Sequence, residues 1–264
     1  MDTSKILKNV ALADHVFIDL EVLESVSSTN DYLRDQDNQL AQGDYWKIVV
    51  ANHQTQGKGR LGRSWVAPPD VNIYFSCQKN IKKKISELSG LSLVLSLALV
   101  KTLEVFIKPI ALSIKWPNDI LYNEAKLSGI LIENISHSYG SVIMGIGINV
   151  NMMDNADHPI SQAWTSLKKI TGKTFDRNQI ISLFITNLVS MVSQFEQHGF
   201  VFFQEQWKPY DILVGKTITL KSCYGQEMVT TGIAKGLNNE GLLLLELENG
   251  KIQAFACGET SIFK

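Results

Sequence analysis

Gly57, Gly59 and Gly62 alternate with Lys58, Arg60 and Arg63 within residues 54–65, which read Gln-Thr-Gln-Gly-Lys-Gly-Arg-Leu-Gly-Arg-Ser-Trp. Glycine lets a backbone turn through positive φ at little steric cost, and cations on either side suit such a turn to folding over an anion. The spacing fits G-x-G-x-x-G, a weak motif by itself. A dinucleotide-binding loop must run from a strand straight into a helix whose N-terminus meets the pyrophosphate. Here the loop runs into Val66-Ala67-Pro68-Pro69 and then into the strand-like residues 72–76. Protein kinases also cover ATP with a glycine loop between strands, yet no kinase catalytic-loop or metal-loop triplet follows. The chain must therefore carry a pliable cationic flap between two strands.

With 264 residues, 45% of them hydrophobic and 19% charged, there is apolar material for one large core and a small second domain. The 25 basic and 26 acidic residues leave a formal charge of −1 and a pI near 6.5, so no overall attraction to nucleic acid or to an anionic membrane is expected. Any positive charge that matters must be local. Lys5, Lys8, Asp14 and Asp19 interrupt the N-terminal segment and argue against a secretory signal. Residues 88–100 fall short of the roughly 20 needed to span a bilayer and read as a buried helix. Cys77, Cys223 and Cys257 form no C-x-x-C pair, as expected of free thiols in a reducing cytoplasm. No two histidines are spaced as metal ligands.

Residues 17–26 alternate as an opening strand. Ser28 and Asp31 then read as a capping arrangement for a helix to about residue 40, although a hydroxyl-rich turn there also suits a small polar ligand. Residues 46–51 form a strand that delivers the chain to the flap, and 72–78 the strand that leaves it. The basic run 80–84 reads as a solvated loop, and 86–107 as a helix ended by Pro109. Strands are expected at 111–116, 120–122, 126–134 and 141–151, joined by tight turns into an antiparallel meander. Residues 152–160 read as a mobile surface loop. A short helix at 164–170 should end at Gly172, a long one at 177–198 should run from its cap Asp176 to Gly199, and a last one should cover 200–207. Beyond Asp211 the runs are short and β-like (216–221, 228–234, 242–247, 252–256), which suggests a small barrel. The expected class is α/β (α+β): a mixed, largely antiparallel sheet packed with helices over residues 1–212, then an SH3-like β-barrel over 213–264.

Four stretches besides the flap are chemically loaded: Ser28-Thr29-Asn30, Lys115-Trp-Pro-Asn118-Asp119, Lys-Leu-Ser-Gly-Ile-Leu at 126–131 and Gly-Ile-Gly-Ile-Asn at 145–149. Lys126 opens a strand that continues into an apolar run, and an ammonium near a core needs a partner. Asp119, across a hairpin, is the natural one; the pair reads either as a hairpin-end salt bridge or as part of a site. Gly145 and Gly147 permit close approach of a ligand or another backbone, or mark a bulge.

In order, S-S-T-N, Q-T-x-G-[RK]-G-R-x-G-R-x-W, K-W-P-N-D, K-x-[SA]-G-I-L and G-I-G-I-N resemble the biotin protein ligases of the BirA type, over about residues 16–264. The resemblance implies a catalytic domain like that of class II aminoacyl-tRNA synthetases followed by the SH3-like domain. It implies activation of biotin by ATP and Mg²⁺ to biotinyl-5′-AMP, then transfer of biotin to one lysine of a carrier domain, such as that of acetyl-CoA carboxylase. Lys126 would contact the biotin carboxylate and the α-phosphate. Lys58, Gly59 and Arg60 would lie in the flap over biotin and adenylate, with Arg63 beside them. Ser28, Thr29 and Gln54 would hydrogen-bond the ureido ring, with Asn30 alongside, and Gly129, Ile130 and Leu131 would line the apolar slot. Trp65, Lys115, Asn118, Gly147 and Asn149 would face the adenylate. Trp164 reads either as packing near adenine or as a helix-start core aromatic. Asp119 is the candidate to take the proton of the incoming amine, to hold Mg²⁺ or to orient Lys126.

Lys58 departs from the arginine of many relatives, replacing a bidentate fork by a point charge. Relatives often dimerise through the sheet. A lipoate-type ligase would share the sheet and the lysine but not the flap or the barrel. A biotin-operon repressor is disfavoured, because only about 15 residues precede the first strand and a recognition helix with its support needs about 60.

Overall fold

The computed structural model describes residues 1–36, 43–84, 87–135, 140–154, 160–221 and 229–262. A short helix α1 (Thr3–Leu7) precedes β1 (Val16–Leu23), α2 (Thr29–Asp35), β2 (Asp44–Ala51), β3 (Ile73–Ile81) and the long helix α3 (Leu91–Ile107). Then come β4 (Ser113–Lys115), β5 (Asp119–Tyr122), β6 (Ala125–Asn134) and β7 (Gly140–Ile148). These strands form one seven-stranded sheet in the order β1-β2-β3-β7-β6-β5-β4. Only β1 and β2 run parallel; the other neighbours are antiparallel, and β4 to β7 make the expected meander.

Period-two alternation decides which face becomes core and which becomes site. Ile73, Phe75 and Cys77 of β3 and Met144, Ile146 and Ile148 of β7 face the main core. There they meet α3 and the 22-residue helix α5 (Arg177–His198), with Phe75 packed edge-on against Phe184 at 5.3 Å. The intervening residues, Tyr74 and Ser76 on β3 and Gly145 and Gly147 on β7, belong to the opposite face. Leu33 of α2 packs on that face against Val49 and Ile143. Helix α3 has twelve buried residues of its 17, and its buried Thr102 hydroxyl donates to the Ala98 carbonyl at 2.8 Å.

Helix α4 (Leu167–Thr171), α5 and α6 (Gln204–Trp207) lead to a five-stranded antiparallel sheet of β8 (Thr217–Lys221), β9 (Val229–Leu237), β10 (Leu243–Glu246), β11 (Ile252–Phe255) and β12 (Glu259–Ile262), ordered β11-β10-β9-β8-β12. This second sheet is fastened to the first around Trp116, whose indole donates to the Gly241 carbonyl at 3.2 Å and whose carbonyl accepts from Thr260 at 3.2 Å. Among the described residues no helix is long and apolar enough to cross a membrane.

Several expectations need correction. Ser28 occupies the N-cap of α2 but makes no side-chain cap bond; it is buried and turned to the interior, so the capping arrangement with Asp31 does not form. Strand β3 continues to Ile81 and so takes in the first two residues of the expected 80–84 loop; Lys79, just before that run, is buried with Asp44 as its ion-pair partner. Helix α3 starts at Leu91, after Gly90. Trp164 precedes α4, which is capped by Ser166. The long helix is as expected: Asp176 accepts from Asn178 N–H and Gly199 follows the last turn. The C-terminal sheet has the expected five strands, the last of which, β12, lies beyond the four runs read from the sequence. The expected end of α2 near residue 40, Cys223 and most of the 152–160 loop lie outside the described residues.

Candidate active site

The glycines on the open face of β6 and β7 leave room that other side chains fill. A Cβ on Gly145 would lie 2.3 Å from Asn30 Oδ1, and one on Gly147 would lie 2.5 Å from the Trp65 indole. On Gly129 it would meet Lys126 and Trp65 at 3.0 to 3.2 Å. A side chain at 145 or 147 would therefore displace Asn30 or Trp65, whereas one at 129 would need its neighbours to give by only a few tenths of an ångström. The flap uses its glycines differently from expectation. Only Gly62 (φ 74) turns through positive φ, accompanied by Leu61 (φ 55), whereas Gly59 is extended. Gly57 must lack a side chain because a Cβ there would sit 2.4 Å from the Trp65 carbonyl.

Above these strands lies a cleft of about 260 Å³. Ser28, Thr29, Asn30, Gln54, Lys58, Gly59, Arg60, Arg63, Trp65, Lys115, Asn118, Asp119, Lys126, Gly129, Ile130, Leu131 and Gly147 all line it. Asn149 and Trp164 do not; with Trp65 and Lys126 they line a neighbouring cavity of about 40 Å³. Asn149 is turned to support: its amide donates to the Thr165 carbonyl at 3.0 Å and holds the segment before α4. The Trp164 ring lies under Lys169, 3.9 Å from its ammonium. The Trp65 indole N–H is buried and unpaired among the described residues.

Lys126 reaches the cleft because β6 carries a bulge. Leu121 pairs with Lys126 but Ile120 with Ser128, leaving Leu127 as the extra residue, and a bulge re-aims the side chains around it. The main chain of Lys126 meanwhile pairs with residues 163 and 165. Its ammonium lies 2.7 Å from Asp119 Oδ1 and 5.5 Å from the centre of the Trp65 ring, so the expected partner is the observed one. Lys115, opposite Asp119 in the β4–β5 pair, has its pKa lowered by burial first, with Lys126 and Arg63 adding to the effect and Asp119 opposing it.

The cleft collects five cationic side chains against two carboxylates, Asp119 and Glu259, in a chain whose formal charge is −1. Each flap cation is held by a different part of the molecule. Lys58 lies 2.7 Å from Asp31 of α2. Arg60 donates to Asn118 Oδ1 at 3.1 Å and to the Gly258 carbonyl at 3.5 Å, and Arg63 pairs with Glu259 of β12. Burial disfavours the Asp31 carboxylate, yet Lys58 and Arg34 together hold its pKa below the usual carboxylate range.

The opposite end of the cleft is uncharged. Gln54 Oε1 accepts from Thr29 N–H at 2.8 Å and lies 3.0 Å from Thr29 Oγ1. Ser76 Oγ lies 2.7 Å from Thr29 Oγ1 and 2.6 Å from Asn30 Oδ1, and Asn30 Nδ2 donates to Glu133 at 2.7 Å. Sequence reasoning missed Ser76, Glu133, Asp31 and the contribution of residues 258–261. The alternation of β3 placed Ser76 beside Gly145 in principle, but nothing local connects β12 to the flap.

The cleft thus has an uncharged end lined by hydrogen-bonding groups and a cationic end, with Lys126 between. Comparisons with known proteins point to one family. The model of the Biotin/lipoate A/B protein ligase family matches residues 22–151, and that of the Biotin protein ligase C terminal domain matches 213–262. The Bifunctional ligase/repressor BirA of Salmonella typhimurium is 32% identical over 91% of this chain and 73% of its own length. The Biotin--[acetyl-CoA-carboxylase] ligase of Mycobacterium tuberculosis is 28% identical, covering 80% of this chain and 77% of its own. The structure of the biotin protein ligase from Aquifex aeolicus in complex with biotin and ATP superposes with a TM-score of 0.78, at 32% identity, over 93% of this chain and 99% of that one.

Proposed function

This chain belongs to the biotin protein ligase family, and we propose that its cleft joins biotin to ATP and then to a carrier lysine in the following way. It is a biotin--[carboxyl carrier protein] ligase that forms biotinyl-5′-AMP. Thr29 and Gln54 take the ureido ring, with Ser28 beside them, and Gly129, Ile130 and Leu131 border the valeryl chain. The carboxylate then comes to lie at Lys126. The observation that carries this reading is the placement of Lys126, aimed by the β6 bulge to the junction of the neutral slot and the cationic end.

In the first step a biotin carboxylate oxygen attacks the α-phosphorus. The bond to the β-phosphate oxygen breaks and pyrophosphate leaves with the electron pair. Two anions meet here, so preset cations stabilise the transition state more than the separated reactants. Lys126 and Arg60 are the groups nearest that meeting point, with Lys115, Lys58 and Arg63 around it. Among the described residues no three His, Cys, Asp or Glu side chains cluster as a metal site. Asp119 alone fits an ion that arrives with the nucleotide, since Mg²⁺ often takes one carboxylate plus substrate phosphates. When bound, Mg²⁺ neutralises phosphate charge. In the second step the carrier amine attacks the acyl carbon and AMP leaves with the electron pair of the C–O bond. Asp119 orients Lys126 and receives the amine proton. Trp65 and Asn149 border the adenine side.

The same reading assigns the division at residue 212, an SH3-like character to the second sheet, a cytoplasmic setting and a homodimer built through the large sheet. The test is biotin-dependent exchange of pyrophosphate into ATP by the purified chain, run beside lipoate. Exchange with biotin and not with lipoate is expected, followed by transfer to an apo carrier domain of a carboxylase. Exchange with lipoate alone, or with neither acid, would refute the assignment.

A further inference from the structure

Beneath Thr29 lie Ser76, Asn30 and Glu133, groups to which the reaction assigns no task. Ser76 of β3 is fully buried and faces Gly145 across the β3–β7 pair. Because Gly145 has no side chain, the amide of Asn30 reaches over it. The row then reads Gln54, Thr29, Ser76, Asn30, Glu133, the last being a carboxylate on β6. Its hydroxyl protons can be counted. A carboxylate accepts only, so Glu133 takes the N–H of Asn30 at 2.7 Å and turns the Asn30 carbonyl toward Ser76. Ser76 stands 2.6 Å from that carbonyl, so its one proton goes there. The 2.7 Å contact between Ser76 and Thr29 then needs the proton of Thr29. The remaining oxygen pair, Thr29 Oγ1 and Gln54 Oε1, is the longest of the three at 3.0 Å, and no hydroxyl proton is left for it. Any other distribution strips the proton from a contact of 2.6 or 2.7 Å, where two bare oxygens would repel.

We propose that Ser76, Asn30 and Glu133 form a relay that fixes the polarity of the slot, so that Thr29 and Gln54 face the ligand as a pair of acceptors. Such a pair selects a ring that donates N–H groups, as the urea of biotin does, over a ring that offers none, such as a dithiolane. The inference rests on the biotin reading and deepens it: Ser76 and Glu133 are positioning residues that never touch the ligand. Without the Ser76 hydroxyl, Thr29 turns its proton onto Gln54 and one acceptor is withdrawn. With an amide in place of Glu133, Asn30 is free to flip and the row loses its direction.

The experiment is calorimetric titration of the full chain with biotin alone and with ATP alone, together with the thermal midpoint, for wild type, Ser76→Ala, Glu133→Gln and the control Tyr32→Phe. Tyr32 lies on α2 but bonds to Glu21. Loss of one buried hydrogen-bonding group should raise the biotin Kd by about tenfold for Ser76→Ala and by roughly three- to tenfold for Glu133→Gln. The ATP Kd should stay within about twofold, and Tyr32→Phe should match wild type. Glu133 is only partly buried, so Glu133→Gln remains readable even where Ser76→Ala does not fold. An unchanged biotin Kd in the variants, or biotin and ATP weakened together with a lower midpoint, overturns the relay. Failure of the wild-type chain to bind biotin instead overturns the functional assignment on which it stands.

Discussion

The two ends of the cleft hold their groups by opposite means. The inner end, around Thr29, Asn30 and Ser76, is neutral and buried, and each contact depends on the one behind it. The outer end consists of flap cations at the surface, where Lys58 and Arg63 keep 46% and 60% of their side-chain exposure while paired. Exposed ion pairs contribute only about 0 to 1 kcal/mol, so Asp31 and Glu259 hold the flap without competing strongly with a phosphate. A buried polar group left unpaired costs about 1 to 3 kcal/mol, which makes the inner end selective and hard to alter. Recognition of a neutral ring calls for fixed direction. Capture and release of an anion calls for partners that exchange easily.

Substitutions should separate these ends, and Lys126 at their junction should matter most. Lys126→Met is expected to slow adenylate formation by at least about a hundredfold, measured as pyrophosphate exchange at saturating biotin and ATP; a loss confined to the biotin KM would move Lys126 out of the reaction step. Next, Arg60→Gly should still form biotinyl-AMP but shorten its residence on the enzyme by about tenfold or more, through loss of the contacts to Asn118 and Gly258. Equal residence times on the two enzymes would contradict the flap's role. Smaller again, Gly145→Ala forces Asn30 aside, since the added carbon would stand 2.3 Å from its carbonyl. It should cost about 1 to 3 kcal/mol in urea unfolding and weaken biotin while sparing ATP; parallel weakening of both would break the distinction between the ends.

The smallest effect belongs to Asp31→Asn. Loss of the Lys58 contact should change stability by less than about 1 kcal/mol and shorten adenylate residence a few-fold, more at low salt than at high. The pKa of Asp31 is depressed in the fold. Its contribution is therefore present above the ordinary carboxylate range and lost as pH falls through the depressed value. Wild type and Asp31→Asn should converge in acid unfolding experiments, and a gap that widened on acidification would reverse this assignment.

Much of the site was legible because its signals are local. The flap, Lys126 with Asp119, the hydroxyls at Ser28 and Thr29, and the paired glycines of β7 are each visible within a few residues. The readings that failed concerned burial. Ile81 was read as part of a solvated run, but pairing of β3 with β7 carried it inside. Ser28 had the sequence of a cap, yet the same turn presents it to the cleft. The glycines of the flap promised positive φ, whereas Gly57 is needed for the closeness of the Trp65 main chain.

The sequence alone determined the kind of chemistry, because charge, glycine spacing and hydroxyl groups are covalent properties of short segments. It also determined the strand order of the meander, since tight turns leave consecutive strands little choice of partner. Only the tertiary structure decided which direction each polar group faces. Ser76 acts on Thr29 from 47 residues away, and Arg63 meets Glu259 across 196; such contacts arise from packing two sheets and a helix together, which no local pattern encodes.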